Sequence, residues 1–301
     1  MTDWPKFAIV GAGAIGGLVG AMLARAGAPV TLIGRRAFVD AVARDGLKFE
    51  SGGKTETLKV TASSDPGAVK GARYVLVCVK SGDSEDAAKA IAPHLDADAV
   101  VLNLQNGVGN AERIRKHVRQ LVAPVLVYTA SQMPAPGHIR HTGGNKFVVS
   151  NFAGADEVAR LFNAAGIASE VSKDVDTEMW SKLFMNATYN SVCALTQQPY
   201  GRMCADPEIR ALMSAIGDEV IAVAAAKGIR IPDNVPRDMF KLADVMPTQV
   251  SSTAQDLAKG KPTEIDFLNG YVAREGEAAG IATPLNRALT ALVRLRENAT
   301  R

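Results

Sequence analysis

Phe7-Ala8-Ile9-Val10-Gly11-Ala12-Gly13-Ala14-Ile15-Gly16 is a short apolar run that breaks into a glycine turn spaced G-x-G-x-x-G, followed by a helical segment rich in Ala and Leu. Strand, glycine turn and helix in that order give the spacing its meaning. Gly11 would permit a tight turn, Gly13 would let the backbone approach a pyrophosphate, and Gly16 would allow close helix packing, with helix N–H groups and dipole receiving the phosphates. These residues predict the first βα unit of a dinucleotide-binding fold; the plainer reading is a glycine-rich packing turn. The charge-free stretch Phe7 to Ala24 approaches a membrane span in length. Five glycines crowd it and no second span follows, so it reads as a turn rather than a membrane helix.

Working outward, short Val/Ile/Leu runs alternate with amphipathic segments from Lys6 to about Ser172. That is the pattern of βα units covering both faces of a parallel sheet, a doubly wound Rossmann-type half. Strands are predicted at Phe7 to Val10, Val30 to Ile33, Tyr74 to Val79, Val100 to Leu104 and Val122 to Val127, each continuously apolar as a strand buried on both faces should be. Between Gly137 and Val149, turn residues flank two short extended runs, which predict a hairpin added to the sheet. After Lys173 the strand-like runs vanish. Helical periodicity follows near Glu178 to Leu195, Asp206 to Lys227, Ser251 to Lys259, Glu264 to Ala279 and Pro284 to Glu297, so the expected fold is α/β over residues 1–172 and all-α over 173–301.

Val30 to Ile33 runs into Gly34-Arg35-Arg36, about twenty residues after the glycine turn, where a fold selecting NAD places Asp or Glu on the ribose hydroxyls. Arginine there suits a 2′-phosphate through a charge-assisted contact, so the expected cofactor is NADPH; a solvated loop is the plain alternative. Lys80 ends the strand from Tyr74 at the same carboxyl edge, either as a second positive charge near the cofactor or simply as a solvated lysine. Asn106, in Gln105-Asn106-Gly107, can carry an amide into the crevice or serve the turn.

In the helical half, Lys182, Asn186 and Asn190 recur every four residues, placing an ammonium and two amides on one face. Apolar neighbours cover most other directions, and the stripe faces either a cleft or solvent. Ser251-Ser252-Thr253 and Thr263-Glu264-Ile265-Asp266 read as helix caps.

A chain of 301 residues with 47% hydrophobic and 22% charged content is an ordinary globular polypeptide of about two domains. A net charge of +3 and 5% aromatic residues argue against a nucleic-acid partner. Cys78, Cys193 and Cys204 are odd in number and form no C-x-x-C pair, which predicts neither disulfides nor a metal site and fits a reducing cytoplasm. No signal-like organisation opens the sequence.

With the glycine turn, Lys80, Gln105-Asn106-Gly107, the Trp180-to-Asn190 helix, Ser251-Ser252-Thr253-Ala254-Gln255-Asp256 and Thr263-Glu264-Ile265-Asp266-Phe267-Leu268-Asn269-Gly270, the chain resembles the ketopantoate reductase family (2-dehydropantoate 2-reductases) nearly end to end. The resemblance implies a Rossmann domain, an α-helical domain and an active site in the cleft between them. It further implies that Gly11, Ala12, Gly13, Ala14, Ile15 and Gly16 hold the pyrophosphate of NADPH, that Arg35 and Lys80 lie by the 2′-phosphate, and that Asn106 touches the nicotinamide end and the substrate. By the same resemblance Lys182 is the catalytic general acid, Asn186, Asn190 and Ser252 bind substrate, and Glu264 lies near the nicotinamide ribose and the reaction centre. The implied reaction is reduction of 2-dehydropantoate to (R)-pantoate for pantothenate and coenzyme A biosynthesis. A small 2-oxo acid is thus the expected partner, with no nucleic acid or membrane, and homodimer formation is compatible with the apolar helical half. The sequence departs from the family pattern at Gln249, where Asn is expected, and in a short loop from Thr196 to Gly201. An NADPH-dependent reductase of a different 2-oxo acid is therefore the alternative. A non-catalytic NADP-binding sensor is a third reading, which would lack the lysine helix.

Overall fold

The computed structural model describes residues 3–299. The chain divides into two compact units, Met1–Val175 and Asp176–Arg301.

The first unit comprises β1 (Phe7–Val10), α1 (Ala14–Arg25), β2 (Val30–Ile33), α2 (Arg36–Asp45), β3 (Leu47–Ser51), β4 (Lys54–Leu58), β5 (Thr61–Ser63), β6 (Tyr74–Val77), α3 (Ser84–Ile91), β7 (Val100–Asn103), α4 (Asn110–Arg115), β8 (Leu121–Ala135), β9 (His138–Val149), α5 (Ala155–Ala164) and β10 (Ala168–Val171). Its ten strands form one sheet in the order β4-β3-β9-β8-β7-β6-β1-β2-β5, with β10 pairing β9. The stretch β5-β2-β1-β6-β7-β8 is parallel throughout, which is the doubly wound dinucleotide-binding order. Successive residues of each central strand enter opposite cores: Phe7, Ile9, Leu32, Leu76 and Leu102 pack with α1 and α5 on one face, while Ala8, Val10, Ile33, Val75 and Val77 pack with α3 and α4 on the other. A strand with both faces covered has no polar alternation, which is why these runs are apolar apart from the buried Thr31 and Asn103.

The hairpin differs from expectation. Residues 138–149 form one strand, β9, which pairs antiparallel with β8 around Pro136-Gly137. β8 continues eight residues past Val127, through Thr129, Ser131 and Gln132, whose polar side chains hid the strand. β3 and β4 add a second antiparallel pair; every residue of β4 up to Thr57 is exposed, so burial left no apolar signature there.

The second unit contains α6 (Val175–Thr196), α7 (Tyr200–Cys204), α8 (Pro207–Ala226), α9 (Asn234–Asp238), α10 (Lys241–Val245), α11 (Ser252–Ala258), α12 (Asn269–Ala279) and α13 (Pro284–Ala299). Among its described residues there is no strand. Five of these helices coincide with the predicted periodic segments; α7, α9 and α10 span five residues each, too few for a period to register. α6 is the hub: Phe184 lies against Gly217 of α8, Trp180 meets Tyr271 of α12 with ring centroids 6.0 Å apart, and Tyr189 packs on Tyr200 of α7 at 4.7 Å. Among the described residues no helix is long and apolar enough to cross a membrane, and no cluster of ligating side chains could hold a metal ion.

Candidate active site

The glycine turn sits at the carboxyl end of β1, where the strand order reverses between β1 and β6, the position at which open α/β sheets bind ligands. Gly11 has φ +100°, and a Cβ there would lie 2.6 Å from the Val79 amide nitrogen. A Cβ on Gly16 would overlap the Gly11 carbonyl oxygen and press on Cys78 and Ile9. Gly13 is different, for a Cβ there would meet nothing within 4 Å. The turn is thus closed toward the protein at Gly11 and Gly16 and open at Gly13. α1 has no side-chain cap and no acidic residue in its first turn, leaving N–H groups and a positive dipole end for an anion. These features fit a dinucleotide pyrophosphate over Gly11, Ala12, Gly13, Ala14, Ile15 and Gly16.

Beside the turn, the Ile33 carbonyl accepts from the Gly11 and Ala12 amides at 2.9 and 3.0 Å. This ties the end of β2 to the glycine turn, so Arg35, the exposed residue preceding α2, stands next to it. Arg36 is paired with Asp40 at 2.9 Å. Lys80 is exposed at the carboxyl end of β6, and the half-buried Asn106 follows β7 in a turn where Gly107 has φ +86°. Asn106 therefore lies in a bend just past the carboxyl end of β7.

A buried polar network, which the sequence reading missed, joins the loops carrying Lys80 and Asn106. Gln105 Nε2 donates to the Val79 carbonyl at 2.9 Å and to Ser84 Oγ at 2.8 Å. Asn110 Nδ2 donates to the Asn106 carbonyl at 2.8 Å and to Ser81 Oγ at 3.2 Å. Ser81, Ser84 and Asn110 are fully buried. Their sequence signal was hydroxyls and amides following two neighbouring parallel strands, which binary patterning does not register.

In the second unit, Asn190 is buried and Lys182 and Asn186 are half-buried, so the polar stripe of α6 is not a fully solvated face. Burial pushes the Lys182 ammonium down to a pKa of about 8, and the Glu264 carboxylate opposes that shift. Glu264 opens a single 3-10 turn, Ile265–Phe267, and its neighbour Thr263 is held by Glu297 of α13, to which its hydroxyl donates at 2.8 Å. The second unit therefore brings Lys182 and Glu264 together electrostatically. Of the serines, Ser251 caps α11 by accepting from the Ala254 amide at 3.2 Å, and its own amide donates to Cys193 Sγ at 3.2 Å. Ser252, the first helical residue, is exposed. Gln249 folds back, donating to the Val250 carbonyl at 2.8 Å.

Comparison with known proteins identifies the family. Residues 7–154 match the family "Ketopantoate reductase PanE/ApbA" and residues 174–297 match "Ketopantoate reductase PanE/ApbA C terminal". A 2-dehydropantoate 2-reductase from Archaeoglobus fulgidus is 35% identical over 95% of this chain and 96% of its own. The crystal structure of a PanE/ApbA family ketopantoate reductase from Ralstonia eutropha superposes with a TM-score of 0.95 at 47% identity, covering 98% of this chain and 99% of that one. A structure of D-mandelate dehydrogenase with NADH and anilino(oxo)acetate has a TM-score of 0.93 at 25% identity, over 98% and 99% of the two chains. With both family regions matched in order and relatives aligned nearly end to end, the chain belongs to the ketopantoate reductase family of oxidoreductases.

Proposed function

We propose that this protein reduces 2-dehydropantoate to (R)-pantoate with NADPH, using Lys182 as the general acid. The observation that carries the reading is a depressed, partly buried lysine on α6, under the field of Glu264 and in line with Asn186 and Asn190. When bound, reduced nicotinamide supplies a hydride. The chain's own residues handle charge and position. As the carbonyl oxygen gains negative charge, the Lys182 ammonium stabilises it and then passes its proton to that oxygen. A pKa of about 8 suits this role, because the group is charged at neutral pH yet releases its proton more readily than a solvated lysine. Asn186 and Asn190 supply amides, and Ser252 a hydroxyl, for the carboxylate and hydroxyl of the substrate, fixing the reacting carbon.

At the other end, Arg35 and Lys80 receive the 2′-phosphate of NADPH, the glycine turn receives the pyrophosphate, and Asn106 contacts the nicotinamide end and the substrate. Glu264 contributes to both chemistry and cofactor binding. The likeness to D-mandelate dehydrogenase, together with Gln249 folded onto the Val250 carbonyl, favours one second reading, a reductase of a bulkier 2-oxo acid. Initial rates of NADPH consumption separate the two, with 2-dehydropantoate run beside phenylglyoxylate, pyruvate and 2-oxoisovalerate, and NADH as cofactor control. A preference for 2-dehydropantoate with NADPH is expected. A preference for phenylglyoxylate would install the second reading.

A further inference from the structure

Asn269 is fully buried at the start of α12. Its Nδ2 donates to the Ala187 carbonyl of α6 at 3.0 Å and to Asn286 Oδ1 of α13 at 2.9 Å. Asn286, also fully buried, donates in turn to Glu219 Oε2 of α8 at 2.7 Å. The Glu219 carboxylate caps α13 by accepting the Leu285 and Asn286 amides at 2.8 and 2.9 Å. A line of polar groups thus runs from α8 through α13 and α12 into the middle of α6.

The contact on α6 falls at a particular place. Ala187 lies five residues after Lys182, and Asn269 lies five residues after Glu264. The intervening segment 264–269 is tightly wound: the Phe267 amide donates to the Glu264 carbonyl at 2.9 Å and the Leu268 amide to the Ile265 carbonyl at 3.2 Å. Because Ala187 is a helical residue whose carbonyl also receives the Ser191 hydroxyl at 3.0 Å, the Asn269 amide is not needed to satisfy α6 itself. What it adds is a fixed register between the helix carrying the lysine and the segment carrying the carboxylate.

We infer that Asn269 is a positioning residue: its amide pins the 264–269 segment to α6 and thereby sets the distance between the Lys182 ammonium and the Glu264 carboxylate. The inference rests on the reading of Lys182 as the proton donor, but its test does not use turnover. Other charged groups on the elements packed with α6 are Glu178, one turn earlier on α6 itself, Asp266, which is paired with Arg294 of α13, Glu297 of α13, which holds Thr263, and Glu219 of α8, which caps α13. Loosening the pin should weaken the Glu264 field and lower the Lys182 titration midpoint in the same direction as loss of the carboxylate.

The test is the pH dependence of Lys182 acetylation by trace acetic anhydride, read peptide by peptide by mass spectrometry on the folded protein. Glu264→Gln is expected to lower the midpoint. Asn269→Leu, of similar size without the amide, should lower it by about half a pH unit or more, and Asn269→Leu combined with Glu264→Gln should go no lower than Glu264→Gln alone. Should Asn269→Leu not fold, Asn269→Ser carries the same expectation, since its hydroxyl is too short to span to Ala187. A folded Asn269 variant with an unchanged midpoint, or a shift that adds fully to that of Glu264→Gln, would overturn the inference.

Discussion

Lys182 is charged where its surroundings disfavour charge. Burial takes its pKa below the ordinary 10.5, to about 8, and Glu264 limits the fall. Between those two values the unfolded chain binds the proton and the folded chain does not, so this residue's contribution to stability rises with pH across that window and is unfavourable below it. Such a cost fits a residue kept for chemistry. Removing it by Lys182→Ala should lower turnover by about 10²-fold or more, with NADPH affinity, measured by fluorescence titration, largely retained. Unchanged turnover would remove Lys182 from the acid role. Helical spacing in the sequence put the lysine and both amides on one face, and their proposed roles came from the family resemblance. It left the stripe undecided between cleft and solvent, because a 3.6-residue period says which residues share a face but not what the face meets.

At the scale of elements, the glycine turn yields a paired prediction. Gly13→Ala places a methyl group in open space, whereas Gly16→Ala drives one into the Gly11 carbonyl. In thermal melts Gly13→Ala should keep a melting temperature near that of the parent while losing NADPH affinity. Gly16→Ala should lose stability, by about 1–3 kcal/mol for an overpacked site. Equal loss of stability in both would contradict the assignment of Gly13 to the ligand side. The same scale marks what patterning can read. β1 and β2 were legible to the residue because both faces of each are buried. The polar outer half of β8 and the exposed β4 were not, since a strand facing water on either side carries no uninterrupted apolar run. The Gln105–Ser84 and Asn110–Asn106 bonds were equally hidden, because a loop's hydrogen-bond partner depends on which strands become neighbours.

For the whole molecule, the strand-like runs of the sequence cease after Lys173, and the structure has its two compact units meet in sequence between Val175 and Asp176. A ligand that binds only the native state stabilises it by mass action, about 2.7 kcal/mol at a hundredfold excess over Kd. NADPH should therefore raise the melting temperature more than NADH at equal concentration, and Arg35→Asp should abolish that difference. An Arg35→Asp protein that still distinguishes the two cofactors would show that another residue reads the 2′-phosphate.

The most direct measurement is the pH profile of kcat/KM in both directions, 2-dehydropantoate reduction and pantoate oxidation, on the same preparation. Reduction needs the protonated lysine, so its rate should fall as pH rises through about 8. Oxidation needs the neutral amine as base, so its rate should rise through the same pH, and Lys182→Ala should lack both limbs. Profiles that move in parallel, or limbs that survive in Lys182→Ala, would contradict the assignment of Lys182 as the group that gives and takes the proton.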